Sequence, residues 1–244
     1  SNIQDDRMRK AKSGQWWVTD PHRALANNSA CYTRTPDIGL FMHEWKSLFD
    51  SKSGERGIFN RKSAKDKAAE NGRRNVDFDF GTNPCSEIIL RPYQFCNLTE
   101  VVVRGADTPS SLKAKVRLAT ILGTFQSTLT DFKYLRKIWK DNTEEERLLG
   151  VSLTGIMDNH YTNLPTADFL KKLRQTAVDV NKELAKKLKI PQSTAITCVK
   201  PSGTVSQLVD SASGIHTRHS PYYIRTVRCD TKDPLTSFMI EQGF

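Results

Sequence analysis

No stretch of this sequence is apolar for anything near the ~20 residues needed to cross a bilayer, so no membrane-spanning helix is expected. The opening residues, Ser1-Asn2-Ile3-Gln4-Asp5-Asp6-Arg7-Met8-Arg9-Lys10, are charged and lack the apolar core of a secretory leader. They also lack an initiator Met, which fits a processed product or a piece of a longer chain. Cysteine is sparse: Cys31, Cys85, Cys96, Cys198 and Cys229 make an odd set with no CxxC pair. That pattern argues against a disulfide framework and against a zinc site, and no metal site is expected. A reducing, cytoplasmic setting fits best, where the glycosylation patterns Asn27-Asn28-Ser29 and Asn97-Leu98-Thr99 carry no meaning. Repeats, low-complexity tracts and linkers are missing too. Residues 1–244 therefore read as one domain or part of one.

What is present suits a folded core. The 244 residues are 37% hydrophobic and include 11 Phe and 4 Trp, too many for wholesale disorder. Lys and Arg number 37 against 27 Asp and Glu, a net charge of +10. A positive field favours polyanions and phosphorylated small molecules. The basic residues nevertheless alternate with apolar or acidic ones, as at 61–67 and 182–189, and form no arm or tail. A solvated basic surface explains them equally well, and nucleic acid is not an expected partner.

Periodicity predicts helices over 39–50, 63–70, 110–130 and 166–188, the third capped by Ser110 or Ser111. Its buried stripe would run Leu112, Val116, Ala119, Leu122, Phe125, Leu129. Thr143 and Glu146 have capping-box spacing. Strands are expected at 57–60, 75–80, 86–90, 97–103 and 194–199. The first 35 residues read as irregular, with Trp16 and Trp17 as anchors. Strands alternating with long helices imply an α/β fold.

The most informative stretch is Asn83-Pro84-Cys85-Ser86-Glu87, followed by Cys96. Pro84 fixes its own φ and disfavours helix at Asn83, which predicts a sharp loop with Cys85 near the tip. If the segment is extended, Asn83, Cys85 and Glu87 share a side. An amide, a thiol and a carboxylate would then converge, a set able to bind a polyol, do sulfur chemistry and move a proton. Spacing alone leaves open a structural cysteine in a turn beside a surface glutamate. Pro201-Ser202-Gly203-Thr204-Val205-Ser206 follows a predicted strand and opens a helix. Free N–H groups there suit phosphate, and ordinary helix capping explains the same pattern. His216 and His219 read as polar surface or core contacts, Tyr222-Tyr223 as packing, and the acidic run Glu144-Glu145-Glu146 as solvated or helix-start charges.

Asn83-Pro84-Cys85-Ser86-Glu87 resembles the finger loop of ribonucleotide reductase large subunits. Its continuation through Cys96-Asn97-Leu98-Thr99-Glu100-Val101 resembles the adenosylcobalamin-dependent, class II enzymes, as do residues 20–30, 53–61, 146–155 and 200–208. The resemblance implies a fold that is part of a ten-stranded α/β barrel with a central finger loop. It also implies roles. Cys85 would become the thiyl radical, Glu87 would act as general base, Asn83 would hold substrate hydroxyls, and Cys96 would be one of two reducing cysteines. Pro201, Ser202, Gly203, Thr204, Val205 and Ser206 would hold the substrate phosphates. Adenosylcobalamin would be the cofactor, a ribonucleotide the substrate, and a thioredoxin-like or other dithiol the reductant. The 11 residues from Cys85 to Cys96 match the class II spacing. The second reducing cysteine belongs to an upstream segment of the family, so complementary N-terminal and C-terminal reductase segments are expected partners, and this chain alone is expected to be inactive. The alternatives are a large-subunit piece of a class I reductase and a non-catalytic nucleotide- or nucleic-acid-binding module.

Overall fold

The computed structural model describes residues 2–52, 54–159, 166–224 and 229–243. Ser1 and Ser53, within segments singled out above, lie outside them.

The chain begins with two one-turn helices, α1 (Asp6–Arg9) and α2 (Trp16–Thr19). A parallel pair follows, β1 (Ser29–Tyr32) with β2 (Gly57–Asn60), joined by the crossover helix α3 (Ile38–Ser51). The polar helix α4 (Arg61–Ala69) comes next, then a hairpin of β3 (Gly81–Thr82) and β4 (Ile89–Leu90). The first segment is thus more ordered than its sequence suggested. Trp16 and Trp17 are not core anchors: their rings meet edge to face, and Trp17 is exposed.

The principal core forms around β5 (Asn97–Val102) and β6 (Leu149–Thr154), parallel and in register from Asn97↔Leu149 to Val102↔Thr154. Parallel neighbours need a long crossover. Here it contains α5 (Pro109–Gln126) and α6 (Lys137–Glu146). Past β6 the long helix α7 (Ala167–Leu188) returns the chain to the same sheet. There Leu149 N donates to Ala195 O and Val151 N to Ile196 O, both at 2.9 Å, and Thr197 bridges Val151. The strand predicted at 194–199 is thus reduced to a single bridge at Thr197 with flanking backbone hydrogen bonds, a short third rung. Two small helices, α8 (Val205–Leu208) and α9 (Pro234–Glu241), follow.

Strand alternation gives this sheet two faces. Val101, Leu149, Val151 and Ile196 join Val103, Leu112, Val116, Ala119, Leu173 and Ala177 in the buried core under α5 and α7. The alternate residues Cys96, Leu98, Glu100, Gly150 and Ser152 turn to the opposite face. Gly150 is needed there: a Cβ would collide with Leu98 Cδ2 and stand 3.1 Å from Cys198 Sγ and 3.2 Å from Ile88 Cδ1.

The helix ends show why the pattern was partly misleading. Thr108, not Ser110 or Ser111, caps α5, with Ser111 as its reciprocal partner in a capping box. The buried face of α5 is Leu112, Val116, Ala119, Thr120, Gly123 and Thr124, whose small side chains let the helix lie close to β5 and β6. Leu122, Phe125 and Leu129 instead join Leu118 on an exposed stripe. The helix expected over 166–188 is α7, and Thr166 caps it, its side chain accepting from Phe169 N. Buried Asn181 ties α7 to its neighbours, donating to Thr124 Oγ1 and Ser193 Oγ and accepting from Ser193 N.

Two further expectations fail. Residues 75–80 alternate between exposed and covered positions, yet they pair with no strand among the described residues. Thr143 and Glu146 end α6 rather than begin a helix, and Glu146 is fully buried. Nor does a barrel form: the named strands make three separate two-stranded sheets among the described residues. The accessible surface is 16207 Å², against about 11,000 Å² for a compact chain of 27.6 kDa. Much of the molecule is therefore uncovered.

Candidate active site

The loop from residue 83 to 88 joins the two strands of the β3–β4 hairpin. Ser86 N donates to Asn83 O at 3.0 Å, closing a turn with Pro84 and Cys85 at its centre, and Ser86 takes a φ of 62°. The Asn83 side chain staples the turn, its Oδ1 accepting from Ile88 N at 3.1 Å. Asn27 Nδ2 reaches Pro84 O at 3.2 Å from the amino-terminal segment. Cys85 therefore stands at the loop tip, as expected, and it is exposed.

The three loop residues do not share one strand face. A turn replaces the extended conformation, so Cys85 meets solvent while the Glu87 side chain is only 2% exposed. The Asn83 carbonyl oxygen is committed to the loop, which leaves its Nδ2 hydrogens for a ligand. Glu87 Oε1 lies 3.6 Å from Lys200 Nζ, and Glu87 Oε2 is buried without a partner. Glu100 carries two more buried, unpartnered carboxylate oxygens, and Ser152, opposite it across the β5–β6 ladder, an unpartnered hydroxyl. Orphaned buried polar atoms are uncommon in folded proteins and mark a surface suited to a polar ligand.

Two thiols belong to this face. Burial, then the charge of Glu87, push the Cys96 thiol up to about 11 despite nearby Lys200. Burial, then Cys96 and Glu87, push Cys198 up to about 12. Both thiols are therefore held in the protonated, unreactive form near neutral pH. Iodoacetamide should label exposed Cys85 and Cys229 first, and the buried Cys96 and Cys198 well after them. Peptide mass spectrometry over a time course checks the order; equal rates for Cys85 and Cys96 would contradict the placement.

The base of the loop is held by Arg74, Arg91 and Gln94, which the sequence did not flag, and by Glu146, which it gave a different role. Glu146 accepts from Arg74 Nε and Nη2, each at 2.8 Å, and lies 3.1 Å from Arg91 Nη2. Gln94 Nε2 donates to the same carboxylate, and its Oε1 accepts from Arg91 N. Arg74 lies over the Phe80 ring and Arg91 over the Phe78 ring. Both ends of the finger segment thus meet at one buried carboxylate. This accounts for the lack of a ladder at 75–80, whose Phe side chains stack on guanidinium groups instead. The available signal was two arginines flanking an aromatic alternation, with an acidic triplet elsewhere to receive them.

The segment 201–206 leads into α8 as expected. Ser202 is 2% exposed, adopts a φ of 52°, and has an unpartnered hydroxyl. Ser206 Oγ is committed to Ser202 O and Gly203 O. Gly203 faces open space, since a Cβ there would meet no atom within 4 Å, and Pro201, Thr204 and Val205 are exposed. Lys200 connects this segment to Glu87. Tyr223 donates to Gln207 Oε1 and meets His219 edge to face, while Tyr222 is exposed rather than packed. Among the described residues no group of three or more His, Cys, Asp or Glu is placed to hold a metal, and no helix is long and apolar enough to cross a membrane.

No protein-family model matches the chain. A solved B12-dependent, class II ribonucleotide reductase superposes with a TM-score of 0.66 at 24% identity, over 88% of this chain and 33% of that one. The Actinobacillus ureae class Id ribonucleotide reductase alpha subunit gives 0.54 at 16%, over 89% and 47%. The fold is that of part of a ribonucleotide reductase catalytic chain. The adenosylcobalamin-dependent ribonucleoside-triphosphate reductase of Lacticaseibacillus paracasei is 29% identical over 255 residues, and that of Lactobacillus leichmannii 28% over 254. The chain is homologous to these class II reductases over 91% of its length and spans 33% of theirs.

Proposed function

We propose that this chain carries the finger loop and half of the reducing thiol pair of a class II ribonucleotide reductase, which converts ribonucleotides to deoxyribonucleotides. One observation carries the reading. A loop-tip thiol, Cys85, is tied to a buried carboxylate with a free oxygen, Glu87, and that carboxylate sits within electrostatic reach of a second thiol, Cys96.

In this reading Cys85 Sγ, as a thiyl radical, takes the hydrogen atom from C3′ of the ribose and returns it at the end. Glu87 Oε2 takes the proton of the 3′-hydroxyl, with Lys200 balancing the carboxylate charge. Asn83 Nδ2 donates to a ribose hydroxyl. The 2′-hydroxyl leaves as water. Cys96 and a partner thiol supply two electrons and two protons and end as a disulfide. Ser202 and the neighbouring backbone of 201–206 hold the phosphates. Adenosylcobalamin, when bound, would supply the hydrogen-atom acceptor that makes the Cys85 radical. The exposed position of Cys85 fits access by so large a group, and Cys85 is the residue that would face it.

A thiyl radical needs shelter from solvent, which these described residues do not provide around Cys85. Complementary N-terminal and C-terminal segments would close the ten-stranded barrel, bring the partner thiol and cover the excess surface. A cytoplasmic dithiol of the thioredoxin kind would then reset the disulfide. The test is to assemble the chain with those segments and assay a ribonucleoside triphosphate with adenosylcobalamin and a dithiol. Cofactor-dependent deoxynucleotide is the expected product. An assembled, substrate-binding protein that makes none overturns the reading.

A further inference from the structure

We propose that the cavity between the end of α4, the middle of α7 and residues 194–199 binds a phosphate-bearing small molecule through Arg73 and Arg174. This site is separate from the 201–206 segment and does not depend on its proposed role. The cavity encloses about 480 Å³, a size usual for small-molecule sites. Its polar lining includes Lys67, Asn71, Arg73, Arg174, Thr194 and, toward the finger loop, Glu87.

Most charges here are already balanced. Lys67 pairs with Glu70 at 2.7 Å and Glu87 with Lys200 at 3.6 Å, while Arg74, also on the wall, is consumed by Glu146. Arg73 and Arg174 remain. Among the described residues neither guanidinium meets a carboxylate or a carbonyl. Arg73 Nε is fully buried without an acceptor, and so is the Oγ1 of Thr194, a residue only 8% exposed. Burial, then the nearby charge of Arg174, hold the Arg73 guanidinium below its ordinary value. Two like charges and two buried donors around one cavity call for a ligand with several oxygens and about two negative charges. Phosphate esters and pyrophosphate meet both conditions, and the planar fork of arginine matches their oxygens.

The test uses inorganic pyrophosphate as the probe on the 244-residue chain, at constant ionic strength. Phenylglyoxal labels arginines and peptide mass spectrometry reads each one. Pyrophosphate should slow labelling of Arg174 and Arg73 by about fivefold or more, with exposed Arg117 unaffected. Arg73→Met should abolish the protection of Arg174, whereas Ser202→Ala should leave it intact. Unchanged labelling of Arg174 in the parent chain, a measurement that needs no variant to fold, overturns the proposal. So does protection that survives Arg73→Met, or that disappears in Ser202→Ala, which would put the anion on the 201–206 segment.

Discussion

Cys85→Ser, made in the complete enzyme, is expected to lower deoxynucleotide formation by about 10³-fold or more while leaving the urea midpoint of this chain unchanged. The two halves of that expectation come from different features. Cys85 sits at an exposed tip. The turn around it is held by the Ser86–Asn83 backbone bond, the Asn83 side chain and Asn27. Serine keeps the size and the turn, so the fold has nothing to lose. The chemistry loses everything, because a hydroxyl holds its hydrogen too strongly to serve as a reversible hydrogen-atom carrier. A variant that still makes deoxynucleotide would remove Cys85 from the reaction. A variant that unfolds would mean that the loop tip is structural. Deoxynucleotide yield in the complete enzyme and a urea titration of this chain, each carrying the same substitution, separate the two.

The parts of this site legible in the sequence are those set by neighbours along the chain. Pro84 and its flanking residues suffice to predict a sharp loop, and the apolar stripe that includes Leu173, Ala177 and Val180 suffices for α7. What was illegible depends on partners far away. Residues 75–80 have the alternation of a strand, but Arg74 reaches Glu146, 72 positions on, and the segment follows that contact instead of a ladder. The same holds at the inward face. Cys96 was recognisable, but its neighbours Cys198 and Lys200 arrive on a third rung about a hundred positions later, after two crossovers. The α5 stripe misled for a related reason. Small residues mark the side that must approach a sheet, so Thr120, Gly123 and Thr124 are buried while Leu122 and Phe125 are not. A reading that scores only large apolar side chains inverts such a helix.

Glu146→Ala is expected to cost about 3–5 kcal/mol of stability. The carboxylate is fully buried and receives Arg74, Arg91 and Gln94, so its removal leaves one guanidinium, that of Arg74, without an acid in the interior. Arg91 is better protected, because Glu145 accepts two of its hydrogen bonds, at 2.7 and 2.9 Å. The cost should therefore trace mainly to Arg74. Replacing both partners, as in Glu146→Leu with Arg74→Met, removes the stranded charge together with its acceptor and should recover a large part of the loss. With a urea slope of about 2–3 kcal/mol per molar for a chain of this size, the single variant's midpoint should fall by about 1–2.5 M, and the double variant's by distinctly less. Since the clamp seats both ends of the finger segment, the single variant should also admit iodoacetamide to Cys96 faster than the parent chain. A double variant no more stable than Glu146→Ala would show that the carboxylate acts through Gln94 and the Arg91 backbone rather than through its ion pair.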